Sequence, residues 1–199
     1  MRNLFKTFLV MLMLSFSHAA IAGDSEDAFA VMQKGDFATA LRLWTPLAEK
    51  GDVHAQFVLG QMFYEGLGVS VNYEEEFKWT ALAATQGHRS AEGFLARMYR
   101  NGDGVAQSYK AAAKWYKSAA QQGVLDAQAN LGVLYGNGTG VAQDFVKAYM
   151  WLSIAAKDGF VNSIQNRDKV AALMTPAQIE KAKKAASRCI KQKFKNCGY

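Results

Sequence analysis

Two arginines three residues apart, Arg97 and Arg100, could together bind a carboxylate. Side chains at this spacing lie on one face of a helix, and a guanidinium group forms paired hydrogen bonds with carboxylate oxygens. Two aromatic residues, Phe57 and Tyr64, precede them, and aromatic side chains often anchor a bound partner. These residues predict recognition of an acidic and partly apolar ligand.

Residues for covalent or metal chemistry are not arranged in a recognisable way. The 199 residues contain no Ser-x-x-Lys and no Gly-x-Ser-x-Gly sequence, which are common settings of a serine nucleophile. His54 and His88 lie apart from any Cys/His cluster with the spacing of metal ligands. We therefore expect no catalytic residue, no metal site and no cofactor.

Three Gly-x-Gly sequences could be read as phosphate-binding loops. They are Gly66-Leu67-Gly68, Gly102-Asp103-Gly104 and Gly138-Thr139-Gly140. A phosphate-binding loop follows a strand, whereas each of these follows a segment with helical periodicity. We therefore predict that they are turns that end helices.

Positive charge is concentrated at the end of the chain. The net charge is +6, and residues 181–199 hold seven basic and no acidic residues. Residues 23–180 hold fourteen basic and seventeen acidic residues. The tail could contact nucleic acid, lipopolysaccharide or anionic lipid, but a solvated helix face is the simpler interpretation. We expect no nucleic-acid partner and leave open a contact with an anionic envelope surface.

The first 22 residues have the pattern of a cleaved signal sequence. Arg2 and Lys6 precede an apolar run from Phe8 to Phe16, and Ala20-Ile21-Ala22 has the small residues of a cleavage site. The run is about ten residues, too short to cross a bilayer as a helix. We expect export, with cleavage after Ala22, to the periplasm or the exterior, and no integral membrane span.

A period of 36 residues organises the remaining sequence. Glycines recur at 51, 87, 123 and 159, and leucines recur at 59, 95 and 131. Repetition at one fixed period is the signature of a stacked repeat architecture. Further columns hold Ala55, Ala91 and Ala127, and Trp79, Trp115 and Trp151.

The columns within each repeat predict two helices, here called helix A and helix B. Ala55, Leu59 and Met62 have the spacing of one helix face, and the tryptophans lie on the apolar face of helix B. We therefore assign the tryptophans to the core rather than to a sugar-binding platform. Glu76 replaces an alanine found at this position in the other repeats, and we expect that position to be partly open to water.

The repeats divide the chain into successive segments. The predicted segments are a signal sequence (1–22), an N-terminal cap with a half repeat (23–50), three repeats (51–86, 87–122 and 123–158), and a C-terminal capping helix with the basic tail (159–199). Thr175, Pro176 and Gln178 form a capping-box sequence at the start of that last helix.

The segment from Ala127 to Asp144 contains Ala-Gln, Leu-Gly, Leu-Tyr and Gly-x-Gly-Val at fixed spacing. This pattern closely resembles the Sel1-like repeat (SLR), a relative of the tetratricopeptide repeat. The resemblance implies an all-α fold, an α/α solenoid of stacked antiparallel helical hairpins in a right-handed superhelix. It also implies a protein-binding role, often as a scaffold or regulator. A cysteine-rich branch of the family is linked to β-lactam or peptidoglycan binding, but the three repeats here lack cysteine.

Helix A lines the inner surface of such stacked hairpins, and its positions outside the core columns predict a partner-binding groove. The predicted groove residues are His54, Phe57, Gln61, Tyr64, Glu65, Ser90, Arg97, Arg100, Asn101, Asp126, Val133 and Asn137. Tetratricopeptide relatives, which the repeat resembles, bind partners at the corresponding positions. We expect the groove to bind an extended or helical peptide that carries an aromatic or aliphatic anchor and acidic groups.

These observations favour an exported protein-interaction module, an envelope scaffold or regulator, without enzymatic activity. The alternative is a peptidoglycan or carbohydrate binding or hydrolysing protein. It would require two carboxylates close together in the groove, and only Glu65 and Asp126 qualify, in different repeats. A structural role without a partner is a third possibility.

Two cysteines, Cys189 and Cys197, remain after cleavage, and we expect them to form a disulfide in an oxidising compartment. Eight residues of straight helix would hold their Cα atoms about 12 Å apart, which exceeds the reach of a disulfide. The last helix must therefore end between them, and the tail must turn back.

Overall fold

The structure is a computed structural model that describes residues 24–157, 160–195 and 197. The predicted signal sequence and Gly159 lie outside these residues. The described ranges form ten α-helices and contain no strand. The helices are α1 (24–33), α2 (Phe37–Glu49), α3 (Val53–Glu65), α4 (Tyr73–Thr85), α5 (Arg89–Asn101), α6 (Tyr109–Gln121), α7 (Leu125–Asn137), α8 (Phe145–Lys157), α9 (Val161–Ala171) and α10 (Pro176–Lys191).

The chain divides into two compact units, the first ending at Leu82 within α4 and the second beginning at Ala83. In the first unit α2 packs against α3. Its core contains two tryptophans, Trp44 and Trp79, together with Leu47, Leu59 and Met62. Burial of these large apolar side chains against small alanines holds the helices together.

In the second unit each helix from α5 to α8 packs against the next one, and α8 also contacts α9 and α10. The core combines alanines with a few large side chains, among them Tyr116, Leu131, Met150 and Trp151. The helical hairpins are therefore stacked. This arrangement confirms the predicted all-α class of stacked hairpins.

The Gly-x-Gly sequences are the turns that the sequence predicts. Gly66, Gly102 and Gly138 each end a helix in the left-handed conformation and donate a backbone hydrogen bond to the last turn. The second glycine of the third turn, Gly140, has φ +73° and lies against the carbonyl group of Tyr109, at the start of α6. A loop of one repeat thus rests on a helix of the preceding repeat.

Small residues on helix A allow close approach to helix B. A Cβ atom added at Gly60 would lie 2.6 Å from Oγ1 of Thr80, and one at Gly132 would lie 2.7 Å from Cγ of Leu152. The expectation that Glu76 is partly open to water is wrong, because Glu76 is 0 % exposed. Its backbone carbonyl lies 3.5 Å from the same Cβ position of Gly60, so the close approach of α3 covers it.

The C-terminal region contains one more helix than predicted. The capping box is confirmed, since Thr175 and Gln178 exchange side-chain to backbone hydrogen bonds at the start of α10. Helix α9 was missed because the repeat columns do not continue beyond the third repeat. In the tryptophan column Trp79 and Trp151 are buried, whereas Trp115 is half-buried at the edge of its cluster.

The predicted disulfide between Cys189 and Cys197 is present, with Cα atoms 5.0 Å apart. Helix α10 ends at Lys191, and Lys193 and Phe194 take positive φ angles that turn the chain back. The backbone N–H of Phe194 donates a hydrogen bond of 2.9 Å to the carbonyl of Cys189. The helix therefore ends between the cysteines, as their spacing requires.

Replacing both cysteines by serine is expected to lower the free energy of unfolding by about 2.5 kcal/mol at most, because the disulfide closes only a short loop. Chemical denaturation of the oxidised protein and of the double variant would measure the difference. Treatment of the original protein with a reductant should reproduce it. A loss much above this value would show that the tail carries more of the stability than its loop length explains.

Candidate functional site

The predicted groove residues are shared between the two units. Five lie on α3 in the first unit, and seven lie on α5 and α7 in the second. The second unit brings four of these seven to the wall of one cavity of about 380 Å³. Those four are Ser90, Arg97, Arg100 and Asp126.

This cavity, here called the arginine cavity, lies between α5, α6 and the start of α7. Its space arises from Gly93, which occupies the repeat position that Phe57 fills in the first repeat. A Cβ atom at Gly93 would meet only Cγ1 of Val124, at 3.6 Å. The volume lies within the range of sites that hold small molecules or peptide side chains.

Arg100 is held in place by its neighbours. Its Nη1 donates a hydrogen bond of 2.6 Å to Oδ1 of Asn130, and its Nε donates one of 3.2 Å to Oδ1 of Asn101. Nδ2 of Asn130 in turn donates to the backbone carbonyl of Asp126, at 2.8 Å. The guanidinium group is thus ordered before any ligand arrives, which lowers the entropic cost of binding. Asn101, a predicted groove residue, orients Arg100.

Arg97 lies over an aromatic ring. Its guanidinium carbon is 5.0 Å from the centre of the Phe94 ring, within the range of a cation–π interaction. Phe94 also lines the arginine cavity. The cavity therefore presents two guanidinium groups beside one carboxylate, that of Asp126, and favours an anionic group.

Tyr116 forms part of the wall and is 2 % exposed. Burial raises the pKa of its phenol and outweighs Arg100 and Arg97, which lower it, while the charge of Asp126 adds to the increase. The phenol is therefore neutral at physiological pH, and its hydroxyl can donate a hydrogen bond.

A second cavity of about 300 Å³, here called the apolar cavity, lies between α7, α8 and α9. It includes two more predicted groove residues, Val133 and Asn137. Gly136 provides its space, at a repeat position that holds Tyr64 and Arg100 in the other repeats. Apolar side chains that line it are Phe145, Leu152, Val170 and Leu173.

The predicted residues of the first unit have a different environment. The ring of His54 packs edge-on against Trp44, with centroids 5.9 Å apart, and the ring of Tyr64 lies 6.3 Å from that of Tyr73. Phe57 and Gln61 are half-buried, and Glu65 is exposed. Each of the two cavities is lined by residues of the second unit alone.

Several cavity residues were missed from the sequence, chiefly Phe94, Tyr116 and Asn130. Phe94 and Asn130 occupy one repeat column, which holds Val58 in the first repeat. A column that changes between apolar and polar residues is not part of a repeated core. This change is the feature of the sequence that could have identified Phe94 and Asn130 as residues outside the core. Tyr116 belongs to helix B, which the prediction excluded from the groove.

The described ranges offer neither a metal-binding cluster nor a membrane-spanning helix. Among those residues no group of three or more His, Cys, Asp or Glu side chains is placed to hold a metal ion. Within the same ranges no helix is long and apolar enough to cross a membrane.

Comparison with known proteins identifies the repeats. A family model described as Sel1 repeat matches residues 53–88, 90–124 and 125–160. A search of curated proteins gives no match.

Two similar solved structures have the same architecture. One is c5321, a protective antigen present in uropathogenic Escherichia coli strains and displaying an SLR fold. It is 30% identical, with a TM-score of 0.71 over 79% of this chain, and this chain covers 34% of it. The other is a Sel1 repeat protein from Oxalobacter formigenes, 35% identical with a TM-score of 0.58. That match covers 63% of this chain and 95% of the other.

Proposed function

The chain belongs to the Sel1 repeat family, and we propose that it is an interaction module that binds a peptide segment of a partner protein in the arginine cavity. Sel1 repeats generally mediate protein–protein interactions and are typically not catalytic. The observation that carries the proposal is the ordered guanidinium of Arg100 beside Arg97 in a cavity with aromatic walls. The remaining predicted groove residues of the second unit, Asn101, Val133 and Asn137, would extend the contact surface.

The charges of the cavity favour an acidic group of the partner. A carboxylate that enters the cavity loses its hydrogen bonds with water. Hydrogen bonds donated by the two guanidinium groups would replace them. The neutral phenol of Tyr116 would add a donor without adding charge. The ring of Phe94 would pack against the apolar part of the partner's acidic residue. These interactions would fix the position of the peptide and speed its encounter with the module.

Export and a role as an envelope scaffold or regulator are part of the proposal. The signal-like residues 1–22 support it, and the disulfide is consistent with an oxidising compartment. The exposed basic residues of α10 and the tail would contact an anionic envelope surface. Mass spectrometry of protein from the expressing cell would test export, because a chain that still begins at Met1 contradicts it.

Reversing both charges, with Arg97→Glu and Arg100→Glu, is expected to weaken peptide binding by at least ~2 kcal/mol, or about thirtyfold in Kd. Peptides selected from a random display library on the unmodified protein supply the ligands, and calorimetry gives the affinities. Acidic residues should be enriched among the selected peptides. Thermal unfolding should change little, because neither arginine belongs to the buried core.

A matched control reverses two charges on α6 instead, with Lys110→Glu and Lys117→Glu, both of which are exposed. This control should bind the selected peptides as the unmodified protein does. Equal loss in both double variants would show that only net charge matters and would reject the cavity as the site. Binding of peptidoglycan fragments with no peptide binding would favour the carbohydrate alternative.

A further inference from the structure

The two cavities of the second unit lie one after the other along α7. Asp126 and Asn130 line the arginine cavity, and Val133 and Asn137 line the apolar cavity. Each of the second pair follows its counterpart by seven residues, or two helical turns, so both pairs lie on the same face of α7. Seven residues at the helical rise correspond to about 10 Å along the axis.

The two cavities differ in chemistry. The arginine cavity contains two guanidinium groups with fixed partners. The wall of the apolar cavity is mostly apolar, although Asn137, Asn166 and Lys169 also line it. One of its apolar side chains, Leu173, is 65% exposed. An exposed leucine at the entrance is covered from water when an apolar side chain enters. The two guanidinium groups therefore favour an acidic side chain of the partner in the arginine cavity. The apolar part of the other cavity wall favours an aliphatic side chain.

We propose that the two cavities are subsites for one peptide, with an acidic side chain in the arginine cavity and an aliphatic side chain in the apolar cavity, three positions apart in the sequence of the peptide. The inference rests on the proposed function, because it assumes that the arginine cavity binds peptide. It goes further by assigning the apolar anchor to the cavity beside Gly136.

The spacing follows from backbone geometry. In the polyproline II conformation side chains return to the same face every third residue, after about 9.3 Å. In a β-strand side chains return to the same face at every second residue. Residues two apart are separated by about 6.6 Å and residues four apart by about 13 Å, and neither distance matches about 10 Å. A polyproline II segment therefore fits the two cavities with the acidic and aliphatic residues at positions i and i+3, in either chain direction, whereas an α-helical segment would need a separation of seven.

Synthetic peptides test this spacing directly. Each carries one Glu and one Leu in a proline-rich spacer, separated by two, three, four or seven positions and made in both orders. Fluorescence anisotropy with the full chain measures Kd. The best peptide with a separation of three should bind at least tenfold more tightly than the best at any other separation. Replacing its Glu or its Leu by Ala should weaken it at least tenfold.

A variant that fills the apolar cavity provides a second test. Gly136 is helical, and a Cβ atom there would lie 3.5 Å from Cγ2 of Val170, an ordinary contact. Gly136→Leu should bind the best Glu and Leu peptide at least tenfold more weakly, with no change for the peptide whose Leu is Ala. Gly136→Ala, which fills much less space, is the matched control and should change the affinity less than threefold.

Circular dichroism establishes that each variant is folded. If Gly136→Leu does not fold, Leu173→Glu tests the same cavity from its exposed entrance and should give the same selective loss. Equal affinity at all separations, or the tightest binding at a separation of seven, overturns the inference. If the arginine dependence remains in that case, the proposed function still holds. Absence of binding by every peptide, library-selected ones included, rejects both.

Discussion

Replacing Trp151 by alanine is expected to lower the free energy of unfolding by about 4 kcal/mol, because it leaves a large cavity in the core of the second unit. Trp151 is 2 % exposed in α8 and packs within the cluster that includes Tyr116, Leu131 and Met150. The alanines around it have little side-chain volume with which to fill the space. Urea denaturation followed by circular dichroism would measure the loss.

Trp115→Ala is the matched control, since the half-buried Trp115 occupies the same repeat column at the edge of the same cluster. It removes the same atoms from a site where water already reaches part of the ring. We expect a loss of about half the size, ~2 kcal/mol. Equal losses for the two variants would mean that burial does not determine the cost in this column.

Replacing Gly140 by alanine is expected to lower the free energy of unfolding by about 3 kcal/mol or more, through two separate effects. The positive φ of Gly140 costs an L-residue about 1 kcal/mol. The added Cβ atom would also collide with the backbone of Tyr109 at the start of α6, so that the loop or the helix must move. Backbone atoms cannot give way as the end of a flexible side chain can. Thermal and chemical unfolding would measure the combined cost.

Gly87→Ala separates the two effects. Gly87 also has a positive φ, of +85°, but a Cβ atom there has nothing within 4 Å. This variant should therefore show the conformational cost alone, about 1 kcal/mol. If Gly140→Ala is no more destabilising than Gly87→Ala, then the loop moves away from Tyr109 at little cost, and the contact between repeats is weak.

The sequence predicts the helices and their stacking because the repeat columns record core contacts that recur in each repeat. Leu59, Leu95 and Leu131 recur for one reason, burial in the same position of each hairpin. The cavities could not be predicted in this way, because each exists where one repeat departs from the others. Gly93 and Gly136 mark these departures, but only the structure shows which side chains surround the space.

The candidate site was predicted in part for the same reason. Arg97, Arg100 and Asp126 were found because they lie on helix A outside the core columns. Tyr116 was excluded because its helix was assigned to the core, and it is indeed buried. A side chain can fill the core with its ring and still reach a cavity with its hydroxyl, and a division into core and surface positions misses that case. Glu76 shows the opposite limit, since a charged residue suggested exposure and close helix packing buries it.

The ring of Phe194 has a consequence for the order of folding. Two of its carbons lie 3.3 Å from the Cβ position of Gly123, in the turn between α6 and α7. Helices α7 to α10 lie between these residues in sequence, so the contact cannot form before all four helices have been synthesised. The turn before α7 is therefore covered only after Phe194 has been synthesised. While Phe194 is still inside the ribosome, this turn of the nascent chain is uncovered. The second unit can therefore complete its packing only after Phe194 has left the ribosome.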